Sequence, residues 1–285
     1  MYLFFSRALY FRTATVLGIL LFGAVGKGYG QRVYADEQQP SATFLLASVT
    51  NPGWAVDQDY SNNSTLNVTL GLLGSLGTAE QNLQFTGLNK PLPTSPITVK
   101  FTAEGNISSV LNLLGLVSFT TTLNNYTVGT PYSGQALLDL LGLFSSGQVV
   151  EATFLGPGTS YDGIKMKLST VVGVGPSAKY FYAFFIVAPT VIDQVICQDD
   201  PAILTITNPQ PNYTYKWYNV ATGGSALQDG SDINYTTDPL TSTGQHLYYV
   251  EAIDHDTPGK SYLSARVPIT VTVHPKPGTP EIEAQ

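Results

Sequence analysis

The residues best spaced for chemistry lie in one short polar stretch near the front of the chain. Asp57, Asp59 and Asn62 offer side-chain oxygens at i, i+2 and i+5. Calcium takes about six to eight oxygens at loose geometry, so these three residues, with nearby carbonyls, form a candidate structural calcium site. The same residue types also build Asx turns, in which the side chain bonds its own backbone, and the spacing alone leaves both readings open. Trp54 precedes this stretch and Tyr60 lies within it, while Tyr132 and Tyr161 fall in or beside other loops. Such rings, where exposed, stack against the apolar C–H faces of sugars while polar neighbours take the hydroxyls. These four are the candidate ligand-binding residues, and the competing reading is that they cap the rim of a core.

Catalytic arrangements are harder to find. Glycoside hydrolysis needs two carboxyl groups about 5–10 Å apart in a cleft. Glu80, Glu104, Asp139, Glu151 and Asp162 are scattered over separate segments with no recurring motif. His246, His255 and His274 have no second ligand at metal spacing. The chain contains no Gly-x-Ser-x-Gly, His-Glu-x-x-His or phosphate-loop pattern. The expectation is a protein with no catalytic residues, not an enzyme, and with no cofactor beyond that calcium ion.

The elements that position the candidate residues read as strands. The 285-residue chain is long enough for about two domains. Charged residues are only 12% and hydrophobic residues 43%, which excludes intrinsic disorder. Seventeen Tyr and 13 Phe favour pleated strands, and 27 Gly and 18 Pro supply turns. Residues 65–70 alternate, with Leu66, Val68 and Leu70 on one face, the period of a half-buried strand. Further strands are predicted at 42–49, 83–85, 97–101, 117–123, 149–154, 164–168 and 180–187, at the spacing of a β-sandwich. Two Leu-rich pieces, 110–116 and 136–144, read as single helical turns or apolar plugs. Beyond a boundary near 188–190, six segments (191–196, 202–207, 213–218, 233–236, 246–252 and 267–273) have the density of an immunoglobulin-like sandwich, with Trp217 in its core. Residues 36–40 read as a polar linker.

Residues 1–35 read as a signal peptide: Arg7 and Arg12 precede an apolar run over 13–25, too short to span a bilayer. Val33-Tyr-Ala35 places the cut after Ala35, with a cut just before Gln31 as the alternative. Four of the 13 basic residues lie in that leader and none of the 20 acidic ones, leaving 9 against 20, a balance of −11. Nucleic acid and anionic membrane surfaces are therefore excluded as partners, since both are held through Lys and Arg. Cys197 is the only cysteine, so no intramolecular disulfide forms, and it reads as a small buried hydrophobe. The Pro-rich tail at 275–285 has the composition of a spacer, as in a piece of a longer surface protein.

Residues 190–274 resemble the immunoglobulin-like domains of large surface proteins of Bacteroidetes. The resemblance rests on Tyr215-Lys-Trp-Tyr218, Ala221-Thr-Gly-Gly224, Tyr248-Tyr-Val-Glu-Ala252 and Ser264-Ala-Arg-Val-Pro-Ile-Thr-Val-Thr-Val273. Residues 41–188 resemble a jelly-roll-like sandwich of the galactose-binding-like, discoidin-type class, through Val49-Thr-Asn-Pro-Gly-Trp-Ala-Val-Asp57 and Ser64-Thr-Leu-Asn67. In that class an Ala-x-Asp-Gly stretch forms a turn that holds calcium, and here Gln58 stands in place of the glycine. The resemblances imply an all-β chain of two tandem sandwiches, secreted or at the cell surface, with no membrane span once the leader is removed. They imply an adhesion-type role, binding a glycan or protein through loops of the first sandwich. The competing reading is a structural spacer.

Overall fold

The long apolar run predicted at 180–187 is the key to the architecture. A strand that is apolar at every position must be covered on both faces. The computed structural model describes residues 32–278, apart from 44, 70–76, 106–108, 143, 171–174 and 256. The leader up to residue 31, Leu70 and the tail beyond 278 lie outside the described residues.

The first module comprises β1 (Arg32–Tyr34), β2 (Glu37–Ala42), β3 (Ala47–Thr50), β4 (Ser64–Val68), β5 (Thr78–Gln84) and β6 (Ile97–Glu104). It continues with β7 (Val117–Leu123), β8 (Tyr126–Thr127), β9 (Tyr132–Ser133), β10 (Val150–Phe154), β11 (Gly163–Ser169) and β12 (Ser177–Ile186). One antiparallel sheet runs β10-β6-β12-β4-β3, with β1 beside the far half of β12. The other runs β2-β5-β11-β7-β8, with β9 also on β7. Their inner faces share one core, in which Phe101, Phe119, Phe154 and Tyr180 are buried and Phe101 packs edge-on against Phe119 at 4.7 Å. The Leu-rich pieces are the short helices α1 (Val110–Gly115) and α2 (Gln135–Leu141). Ser109 caps α1 by accepting from the Asn112 amide at 3.2 Å.

The second module comprises β13 (Gln194–Cys197), β14 (Ile203–Thr205), β15 (Tyr213–Tyr218), β16 (Gln228–Gly230), β17 (Asn234–Thr236), β18 (Gly244–Asp254), β19 (Tyr262–Leu263) and β20 (Val267–His274). Its main sheet runs β13-β20-β18-β15-β16, with β13 parallel to β20, and a small β14-β17 sheet covers it. Trp217 is fully buried there and stacks on Tyr235 at 5.8 Å, as expected of a core Trp. After β15 the chain turns through Gly223 and Gly224, both at positive φ (63° and 72°), which glycine adopts without a Cβ clash. Arg266 pins this turn, donating to the carbonyls of Val220 and Gly223 at 3.0 Å, with its guanidinium 3.4 Å from the Tyr218 ring centre. Three of the four sequence segments that carry the immunoglobulin-like resemblance therefore meet in space. The architecture is two tandem β-sandwiches.

Three expectations are corrected. Residues 36–40 are no linker: they form most of β2, paired with β5 from Glu37↔Gln84 to Ala42↔Ala79. This strand is a sheet edge with almost every side chain in solvent, so it shows no apolar alternation and tolerates Pro40. The predicted strand at 42–49 is split between β2 and β3 by a turn in which Leu45 has a φ of 62°. Cys197 is exposed: along β13 the inward positions are Gln194 and Ile196, and Cys197 falls on the outer face.

Strand β12 joins the modules. A β-bulge between Tyr180 and Tyr182 shifts the register, so Ala178 and Tyr180 before it and Ala183 and Phe185 after it all face the first core. Phe184 and Ile186 point the other way, into the cluster of the second module. Ile186 also bridges to Ser264.

Candidate functional site

The stretch holding Trp54 and Tyr60 leaves β3 through Asn51, in the left-handed region at φ 51°, and enters a single 3-10 turn over Pro52–Ala55. The Trp54 amide donates to the Asn51 carbonyl at 3.0 Å, and the Val56 amide to Gly53 at 3.1 Å. Buried Ala55 plugs the turn into the first core, and Gln81 on β5 donates to the Pro52 carbonyl at 2.8 Å. Anchored in this way, the turn leaves Trp54 47% and Tyr60 43% exposed. Tyr60 lies on Tyr34 of β1, with rings stacked at 4.3 Å and 21°. Tyr182 of β12 packs edge-on against both at 5.6 Å. Trp54, Asp57, Asp59, Tyr60, Tyr34, Phe181 and Tyr182 line one shallow depression.

The carboxylates of this loop are turn residues. Asp57 accepts from the Asp59 amide at 3.0 Å and from the Asn62 side-chain amide at 2.9 Å. Asp59 accepts from the Ser61 amide at 3.0 Å and the Ser61 hydroxyl at 2.6 Å, and these bonds lower its pKa. Asn62 presents its N–H to Asp57 instead of an oxygen to a shared centre. Asp57 and Asp59 of the candidate calcium site thus each close an Asx turn, the second of the two readings that the spacing left open. Among the described residues no group of three or more His, Cys, Asp or Glu side chains is placed to hold a metal ion. Gln58, which occupies the glycine position of the discoidin-type motif, itself takes the left-handed conformation at φ 65°.

The four candidate aromatics separate. Only Trp54 and Tyr60 share a face. Tyr161 is buried, its hydroxyl donating to the Ser95 carbonyl, and burial raises its pKa. It is a core residue and no part of a platform. Tyr132 on β9 is half-buried against Phe154 at 5.1 Å, in a different cleft of about 180 Å³ with Thr121 and Pro157. The scattered acids each have a local partner. Glu80 pairs with Lys165 and Lys167 at 3.3 Å, and Glu104 with Lys179 at 3.6 Å. Asp139 accepts from Gln135, and Asp162 from the Asn124 amide.

Glu151 has a larger part. It accepts from the Tyr182 hydroxyl at 2.5 Å and the Tyr262 hydroxyl at 2.6 Å, and it pairs with Lys260. Burial raises its pKa, but the bonds from Lys260, Tyr182 and Tyr262 outweigh burial and leave it lowered. Burial, and then the bond to Glu151, raise the pKa of Tyr182 and of Tyr262. On the other side of Tyr34, Arg32 pairs with fully buried Asp254 at 2.5 Å, donates to Thr257 at 2.9 Å and lies over the rings of Phe184 and Tyr262. Burial disfavours the Arg32 charge, yet hydrogen bonds to Asp254 and Tyr34 raise its pKa overall. The joint between modules therefore buttresses the floor of the aromatic face through Tyr34 and Tyr182. Sequence reasoning missed both tyrosines, Tyr34 because it fell in the expected leader and Tyr182 because the bulge reverses its facing.

In solved structures the chain is similar to a β-1,2-glucanase from Parabacteroides distasonis, at 13% identity and TM-score 0.38, covering 88% of this chain and 40% of that one. It thus spans less than half the length of the glucanase. It is similar to the module TmCBM61 in complex with β-1,4-galactotriose, at 12% identity and TM-score 0.27, covering 54% and 91%. It is also similar to fibronectin(III)-like modules of Clostridium thermocellum CbhA, at 9% identity and TM-score 0.22, covering 84% and 100%. No curated protein matches. One family model matches, described as Ig-like domain, CHU_C associated, over residues 187–275. The second module, residues 187–275, is a CHU_C-associated immunoglobulin-like domain.

Proposed function

We propose that the protein is an exported, non-catalytic binding module that holds a neutral glycan at the cell surface on the Trp54–Tyr60 face. The observation that carries this reading is the pair of half-exposed rings on an anchored turn, beside polar groups of the same loop. Half-exposed rings offer an apolar bed to the C–H face of a sugar ring, and Gln58 and the loop carbonyls offer partners to its hydroxyls. The acidity of the chain favours neutral glycans over anionic ones. No helix among the described residues is long and apolar enough to cross a membrane. A glycan array probed with the exported chain and with its Trp54→Ala variant tests the reading. Binding to neutral glycans that Trp54→Ala abolishes supports it, and binding that survives the substitution removes the aromatic face from the account.

A second reading, a structural spacer, is favoured by the joint. Phe184 and Ile186 of the first module sit in the core of the second, which holds the two sandwiches in one fixed geometry. An array without hits, from a protein that still melts cooperatively, favours the spacer.

A further inference from the structure

The fold depends on residues that lie inside the expected leader. β1 pairs in register with β12, Arg32↔Ile186 through Tyr34↔Phe184, and the Ala35 amide donates to Ala183 at 2.9 Å. Ala35 is buried in the first core, Tyr34 floors the aromatic face, and Arg32 reaches across the joint to Asp254, whose side chain has no exposed surface. A cut after Ala35 would delete this strand, the cation beside a buried carboxylate and one ring of the stack. Upstream, Gly28-Tyr-Gly30 places small residues three and one before the Gly30–Gln31 bond. Small residues at those two positions are what a signal peptidase reads, and the leader so defined keeps within about 30 residues.

We propose that the export leader is removed at the Gly30–Gln31 bond, and that residues 32–35 of the mature chain are the pin that locks its two modules together. An export-associated endopeptidase adds water across that amide, leaving a carboxylate on Gly30 and a free amine on Gln31. Arg32 then stays with the mature protein. The proposal rests on the export reading above but not on glycan binding.

Intact-mass measurement of the protein recovered outside the cell tests the cut. The expected mass begins at Gln31, with or without loss of one ammonia through cyclisation of an N-terminal glutamine. A mass beginning at Asp36 overturns the cut site and leaves export standing, whereas a full-length chain retained in the cell overturns both. The pin is tested by comparing purified chains that begin at Gln31 and at Asp36. The shorter chain is expected to melt at lower temperature and to show faster proteolysis between the modules. Equal melting and equal proteolysis overturn it.

Discussion

Replacing Arg32 with Met keeps a long apolar side chain in place and removes only the guanidinium. Its partner Asp254 is fully buried, and Arg32 itself is 14% exposed. Removing one member of a buried ion pair costs about 3–5 kcal/mol, because the remaining charge is left in a poor solvent. Asp254 has further interactions of its own, which places the cost at the low end. The rings of Phe184 and Tyr262, at 5.2 and 4.9 Å, lose a cation–π contact of about 0.5–2 kcal/mol. The expected destabilisation is about 4 kcal/mol, read as a fall in the urea midpoint of the intact chain. Arg32→Met combined with Asp254→Asn should cost less than the two changes added, with a coupling of about 2 kcal/mol. A loss below about 0.5 kcal/mol for Arg32→Met, the value of an exposed pair, would refute the joint as described.

Three further outcomes follow from single residues. Glu151 has a lowered pKa in the folded chain, so its contribution is present above the ordinary carboxylate value of 4.5 and is lost as pH falls through the folded value. Glu151→Gln is therefore expected to lower stability by about 2 kcal/mol at neutral pH and to converge with the parent in acid, measured by urea melts across pH. Trp217→Ala should cost about 3–5 kcal/mol, and Trp217→Phe about 2 kcal/mol, since the buried indole N–H has no hydrogen-bond partner to lose among the described residues. Gln58→Gly should stabilise by about 0.5 kcal/mol, because a left-handed non-glycine residue carries strain that exceeds the entropy cost of glycine; a lower melting temperature would contradict this.

The strands legible in the sequence are those with one wet and one dry face. β4 is buried at Ser64, Leu66 and Val68 and half-buried between, and β15 alternates in the same way around Tyr215 and Trp217. Strand β2 was illegible because an edge strand with nearly all side chains in solvent has no hydrophobic period to read. The run at 180–187 announced a strand but hid its meaning. Two-sided burial and a bulge make alternate residues serve two different cores, and no single period describes that. The site divides likewise. Trp54 and Tyr60 stand out beside Pro52, Gly53 and the Asp-rich turn, which forecast exposure. Tyr161 sits in an equally loop-like stretch, yet its hydroxyl finds a carbonyl and its ring is buried. Arg32 and Tyr34 lie in a segment whose charge and nearby apolar run read as a leader, and the pairing with β12, the Asp254 ion pair and the Tyr60 stack assign them to the fold.

The most direct test of the binding face uses the fluorescence of Trp54. The chain has two tryptophans, so in Trp217→Phe protein Trp54 is the sole indole reporter. Titration with a panel of neutral oligosaccharides is expected to shift and saturate its emission for the members that calorimetry shows to bind. A panel in which no member perturbs Trp54, or in which one binds while its emission stays unchanged, would contradict a glycan site on this face.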